Sequence, residues 1–263
     1  MTDQQENIVN YEIMGDKGPA VLLIHGLFGD LDNLKRLGRD LEQDHQVIVM
    51  DCRNHGDSFH SETMSYAAMA GDIEALLNHL NLDKVSIVGH SMGGKLAMEF
   101  ALSHPQRVQA LIIADVAPAA YDARHRHILD ALENIDLSQV KTRQDADQQL
   151  AKAVDERGVR QFLLKNLKRE NEQYQWRLNL PIIDACYAEI SGGVREGSYD
   201  GPVLFIKGGD STYLTEEHRD AVNSRFSDVD IKIIEGTGHW LHAEKPRIFN
   251  RLARSFLEQH SRT

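Results

Sequence analysis

The sequence is short of cysteine, of long apolar runs and of positive charge, and each shortage narrows what the chain can be. Its 263 residues include only two cysteines, Cys52 and Cys186, far apart and in no C-x-x-C pair. That excludes a disulfide-stapled scaffold and points to a reducing, cytoplasmic setting. No run approaches the roughly 18 apolar residues of a membrane span. The stretch Met1–Asn10 is polar and acidic with no apolar leader core, so the expectation is a soluble, unsecreted protein. Lys plus Arg number 29 against 40 Asp plus Glu, a formal net charge of −11. A field of that sign repels phosphate backbones and anionic leaflets, which argues against nucleic acid or a membrane surface as partner and for a small molecule. No repeat, no low-complexity tract and no histidine–carboxylate cluster with zinc spacing is present, so neither metal nor organic cofactor is expected.

What remains is ordinary globular material, with hydrophobic residues at 41% and charged residues at 26%, in a length that suits one core with one insertion. Short apolar runs recur at Ala20–Ile24, Val47–Met50, Val85–Val88, Ala110–Ala114, Val203–Ile206 and Ile231–Ile234. The first five are nearly continuous in apolar residues, as strands buried on both faces of a parallel sheet are, and the last reads as an edge. Helix-period stretches lie between them at Leu31–Leu41, Tyr66–Leu80, Met92–Leu102, Glu216–Phe226 and Pro246–Leu257. This βαβ alternation predicts an α/β fold with a mostly parallel, doubly wound sheet and a ligand crevice at the strand C-ends. The segment before Ala20 predicts an added antiparallel hairpin. Between the Ala110 and Val203 runs the alternation stops. From Tyr121 to Ile190 the pattern reads as helical, with Ile128, Leu129, Leu132 and Ile135 on one face and Val159, Phe162, Leu163 and Leu167 on another. The reading is a core of residues 1–118 and 199–263 carrying a helical lid over 119–198.

After the Val85 run comes Gly89-His-Ser91-Met-Gly93-Gly94, a G-x-S-x-G placed between strand and helix. A serine on so tight a turn takes strained dihedrals, and small flanking residues let strand and helix close on each other. The Met92 amide, at a helix N-terminus, then faces the place where an oxyanion would form, and Leu27 in His25-Gly-Leu-Phe-Gly29 is the candidate second donor. A serine needs a base that titrates near neutrality. Of 13 histidines, His239 alone follows the last core strand in a Gly-flanked loop before the final helix. His25 and His90 read as buried turn residues, and His242 as a surface or helix-entry residue.

His25-Gly26, Asp51-x-Arg53-x-x-Gly56-x-Ser58, Gly89–Gly94 and Gly238-His239-x-x-x-x-Glu244-x-Pro246, in that order, resemble the α/β-hydrolase superfamily, and within it the YbfF-like bacterial serine esterases. Asn54 stands where many relatives have glycine. The resemblance implies a lid inserted between the sixth and seventh strands and a Ser-His-Asp triad. Most such relatives carry the acid as G-x-x-D after the strand equivalent to Val203–Ile206, but here that position holds Ser211, with Asp210 one residue early. Asp115, at the end of the Ala110 run, is the favoured acid and Asp210 the alternative. Asp51 and Arg53 read as an internal ion pair or loop brace, and Arg124–His127 as a solvated helix face. Phe28, Phe162, Trp176, Tyr187 and Trp240 are candidates for an apolar pocket suited to an acyl chain. The implied activity is hydrolysis of carboxylic esters or acyl thioesters. Serine-dependent carbon-carbon bond hydrolases, cofactor-free haloperoxidases and a non-catalytic receptor on the same fold are the alternatives.

Overall fold

A computed structural model of the chain describes residues 7–260; residues 1–6 of the polar N-terminal stretch lie outside the described residues. The nine strands are β1 (Tyr11–Met14), β2 (Ala20–Ile24), β3 (Gln46–Met50), β4 (Val85–His90), β5 (Val108–Ala114), β6 (Leu167–Glu170), β7 (Gln173–Trp176), β8 (Tyr199–Gly208) and β9 (Phe226–Ile234). Seven of them form one sheet in the order β1-β3-β2-β4-β5-β8-β9, parallel throughout except for β1. The α-helices of the core are α1 (Lys35–Leu41), α2 (Tyr66–His79) and α3 (Met92–Ser103). Between β5 and β8 stand α4 (Arg126–Glu133), α5 (Arg143–Leu150), α6 (Arg157–Leu164), α7 (Leu180–Ala185) and α8 (Tyr187–Ser191), and the chain closes with α9 (Arg219–Asn223), α10 (Leu241–Glu244) and α11 (Pro246–His260).

The continuous apolar strands divide by the two-residue period into two cores. Leu22, Ile24, Ile87, Leu111, Ile113 and Phe205 face one side with residues of α2, α3 and the β5–β8 segment. Val21, Leu23, Val88, Ile112, Leu204 and Ile206 face the other with Leu37 and Leu41 of α1 and Phe249 and Phe256 of α11. This is the α/β fold expected from the sequence, with helices on both faces. At the β9 edge Ile231 and Ile233 stay about half exposed, as an edge strand leaves them.

Three local expectations are corrected. The N-terminal segment makes no hairpin with β2; its single strand β1 crosses over to pair antiparallel with β3, Tyr11 opposite Met50. In chain order the inserted segment therefore follows the fifth strand of the sheet, not the sixth. That segment is not wholly helical, since Leu167 opens β6, which pairs antiparallel with β7 across Asn171 and Glu172.

Asp51 and Arg53 brace the loop after β3 without pairing with each other. The buried Asp51 carboxylate accepts from the Leu31 amide at 2.7 Å, the Asp57 amide at 2.9 Å and Asn10 Nδ2 at 2.7 Å. Arg53 bonds Asp72 through Nε and Nη2 at 2.6 and 2.7 Å. Asn54 takes the left-handed backbone, φ 64°, a region that glycine enters freely and asparagine tolerates. Its side-chain oxygen accepts from the Ser61 amide and Asn179 Nδ2. Removing the Asp51 acceptor strands two backbone N–H groups. Asp51→Ala is accordingly expected to lower stability by about 2–4 kcal/mol in urea titrations, and Asp51→Asn, which keeps one acceptor oxygen, by less.

Candidate active site

The end of β4 turns directly into α3 at Ser91, whose backbone sits at φ 53° and ψ −118°. Glycines allow this turn. A Cβ on Gly93 would meet the Ile24 carbonyl oxygen at 2.4 Å, and one on Gly89 the Gly93 oxygen at 2.2 Å. Ser91 N–H donates to the Ala114 carbonyl at 3.0 Å, tying the turn to the end of β5.

Ser91 Oγ lies 2.8 Å from His239 Nε2, and His239 Nδ1 lies 2.7 Å from Asp115 Oδ2. An ionised carboxylate only accepts, so Nδ1 carries the proton and Nε2 presents its lone pair to the hydroxyl. Asp115 is fully buried at φ 54° just past β5. Its other oxygen accepts from the Gly208 amide at 2.9 Å, and Oδ2 also accepts from the Ser211 hydroxyl. Asp210 is exposed; its amide donates to the Thr237 carbonyl at 2.9 Å, so it braces the loop that precedes His239. Hydroxyl, imidazole and carboxylate in series can take a proton from the serine and hold the resulting cation against a negative charge.

The Met92 amide is the first of α3 and has no intrahelical partner. Leu27 borders both cavities that open on Ser91. Among the described residues neither amide donates to a protein acceptor. His25 and His90 are buried turn residues: His25 Nδ1 donates to the Gly26 carbonyl at 2.8 Å while Nε2 accepts from the Cys52 amide, and His90 Nε2 donates to the His239 carbonyl at 2.8 Å. His242 stands at the entry of α10, as expected, but half-buried rather than at the surface. Its ring packs 4.3 Å from that of His90 and against Phe249.

Two cavities flank Ser91. The first is small and walled mainly by apolar groups including Phe28, Ile128, Phe162 and Trp240. The second, equally small, carries Tyr66, Lys95, Tyr121, Arg124, Tyr187 and Tyr213. Phe28, Phe162, Trp240 and Tyr187 thus reach the site. Trp176 does not, because β7 pairs it with Leu167 at the base of the β6–β7 hairpin.

Sequence reasoning missed Tyr213, Lys95 and the inward role of His125. Tyr213 stacks on the His239 ring at 3.9 Å and 20° and meets His125 Nε2 through its hydroxyl at 3.1 Å. Lys95 is buried, donates to the Ser191 and Gly192 carbonyls and lies 4.4 Å from the Tyr121 ring; burial brings its pKa down to about 7. A lysine three residues inside a mostly apolar helix that also carries Glu99 was the available signal. His125 stands within Arg124–His127, whose charge read as a solvated face.

Comparison with known proteins agrees with this architecture. Residues 19–246 match the family model described as alpha/beta hydrolase fold. Esterase YbfF of Escherichia coli (strain K12) is 40% identical over 238 residues, covering 90% of this chain and 92% of that protein. The sn-1-specific diacylglycerol lipase ABHD11 of Danio rerio is 37% identical over 262 residues, covering 95% and 82%. The solved structure of a marine microorganism esterase aligns with a TM-score of 0.93 at 38% identity, covering 96% of this chain and all of that one.

Burial holds several rings here neutral. It lowers the pKa of His25, takes His55 down to about 3 and His90 well below the ordinary value, and brings His125 and His242 to about 4. Below about pH 6.5 the unfolded chain binds protons that these folded rings refuse, so stability should fall as pH drops from about 6.5 to about 4. Asp30 and Asp72, pushed up by burial, oppose this just above the ordinary carboxylate range. Urea titrations between pH 7.5 and 4.5 should show the loss, and His242→Phe, which keeps the ring contacts, should flatten the slope by about one proton.

Proposed function

The chain belongs to the α/β-hydrolase family, and on that premise we propose that it is a serine carboxylesterase working through Ser91, His239 and Asp115. The observation that carries the reading is the serine on its strained turn, 2.8 Å from an imidazole whose other nitrogen is 2.7 Å from a buried carboxylate. His239 takes the hydroxyl proton as Ser91 attacks the ester carbonyl. The Leu27 and Met92 amides receive the oxyanion, and the tetrahedral intermediate collapses as the imidazolium gives its proton to the departing alcohol or thiol. Water repeats the sequence on the acyl-enzyme, returning Ser91 and the acid product. Asp115, held by the Gly208 amide and the Ser211 hydroxyl, keeps the imidazole oriented and offsets its charge.

Residues 119–198 act as the lid on a core formed by 1–118 and 199–263. The lid supplies Phe162 and Ile128 to the first cavity and Tyr187 to the second. The apolar walls of the first suit a hydrocarbon portion of the ester. The diacylglycerol lipases among its relatives support lipid esters as a substrate class. The buried, unpaired Cys52 and Cys186 suit a reducing compartment.

Ser91→Ala should lower turnover of an activated ester by three decades or more, and an organophosphonate should add its mass to Ser91 in the wild type. Modification of another serine with Ser91 unmodified would overturn the assignment. Asp115→Asn is expected to reduce kcat by about 10⁴ with the fold kept by circular dichroism. Asp210→Asn should cost less than about tenfold.

A further inference from the structure

Beside the apolar cavity lies a larger open groove of about 590 Å³ between α6 and α10. Asn33, Val159, Phe162, Trp240 and His242 line both spaces, so the two are neighbours divided by the contact of Phe162 with Trp240, ring centroids 6.3 Å apart. Both rings are half-buried, and Trp240 follows His239 directly. We infer that this groove is the outer half of the substrate site: an ester's unbranched alkyl chain runs from Ser91 between Phe162 and Trp240 and lies along the groove, its far end at the surface. The inference rests on the assignment of Ser91 above.

The charge of the groove selects its occupant. Asp32, Glu156 and Glu244 rim it against the single cation Lys165. A phosphate or carboxylate terminus would be repelled, whereas a hydrocarbon chain needs only the apolar walls. The inner cavity alone would impose a length limit. An open groove beyond it removes that limit and keeps rewarding added methylenes, by about fourfold each at full burial and less on a half-open surface. The chain could belong to the acyl or to the alcohol side of the ester, since His239, which must reach the leaving oxygen, borders this same cavity.

The experiment measures kcat/KM for two ester series on the full chain. One lengthens the acyl group of p-nitrophenyl esters from two to sixteen carbons; the other lengthens the alcohol of alkyl butyrates. At least one series should rise past eight carbons, and which one rises identifies the side that the groove holds. Gly158 and Ala243 line the groove and not the inner cavity; both are exposed, and a Cβ on Gly158 meets nothing within 4 Å. Gly158→Phe and Ala243→Phe should each lower the twelve-carbon to four-carbon ratio of the rising series tenfold or more. A ratio unchanged in both variants, or decline beyond eight carbons in both series, overturns the inference. A binding measurement reads the groove without turnover. In Ser91→Ala carrying Trp176→Phe, methyl 12-bromododecanoate should quench Trp240 fluorescence saturably, and Gly158→Phe should weaken that binding at least fivefold. Absence of quenching refutes the groove. Quenching by a protein whose wild type hydrolyses no ester refutes the Ser91 assignment and leaves the groove standing.

Discussion

The site depends on one close approach. The ends of β2 and β4 and the first turn of α3 converge so tightly that glycine is required at 89 and 93, where any Cβ would sit within 2.5 Å of a backbone oxygen. In that space Ser91 can turn the chain from strand to helix only at positive φ, a conformation that costs on the order of 1–3 kcal/mol. The bonds around it offset this. Ser91 N–H donates to Ala114, and its carbonyl accepts from Gly94 and Lys95. From the same turn follow the exposed hydroxyl, the unpartnered Met92 amide and the short distance to the β2 loop that carries Leu27. On the esterase reading, the strain is therefore the geometric condition for having a nucleophile and two donors around one point.

Strand order then decides which carboxylate can serve. Across the sheet run β4, β5, β8 and β9, ending near Ser91, Asp115, Ser211 and His239 respectively. An acid after β5 stands one strand nearer the serine than one after β8, and the loop after β9 brings His239 over β8 to meet it. Ser211, at the position where the family resemblance leads to the expectation of an aspartate, is turned onto the Asp115 carboxylate as a donor. A second buried carboxylate there would repel Asp115; a hydroxyl strengthens the anion instead.

The strands of the parallel sheet were legible because burial on both faces writes itself as unbroken apolar runs, and the strand-to-helix serine because only glycine fits around it. What was not legible was set by distant partners. Nothing near Tyr11 says that it will pair with Met50 instead of turning back on Ala20. The β6–β7 hairpin hid because its strands, Leu167–Glu170 and Gln173–Trp176, are mostly polar, and its two-residue turn uses Asn171 and Glu172 at φ 47° and 66° where asparagine and glycine are the usual signal. That hairpin is also why Trp176 misses the cavity. His125 lies near the start of the inserted segment and Tyr213 after β8; they meet only in the folded site, so no spacing could join them.

The segment between β5 and β8 is fastened to the catalytic loops by polar bonds as well as by apolar packing. Asn166 Nδ2 donates to the Phe28 carbonyl at 2.7 Å, and Arg177 pairs with Asp30 and Asp57 at 3.5 and 3.0 Å. Tyr66 donates to the Ile190 carbonyl at 2.7 Å, while Lys95 donates to the two that follow. Phe28 is at once a wall of the apolar cavity and the neighbour of Leu27, at φ 62° in the same tight loop. A shift of the segment that widened the cavity would therefore pull on the loop that presents the Leu27 amide. On the esterase reading, substrate fit and oxyanion stabilisation share a mechanical element, so a chain that seats the segment well also seats the donor, and selectivity enters through kcat as well as through binding.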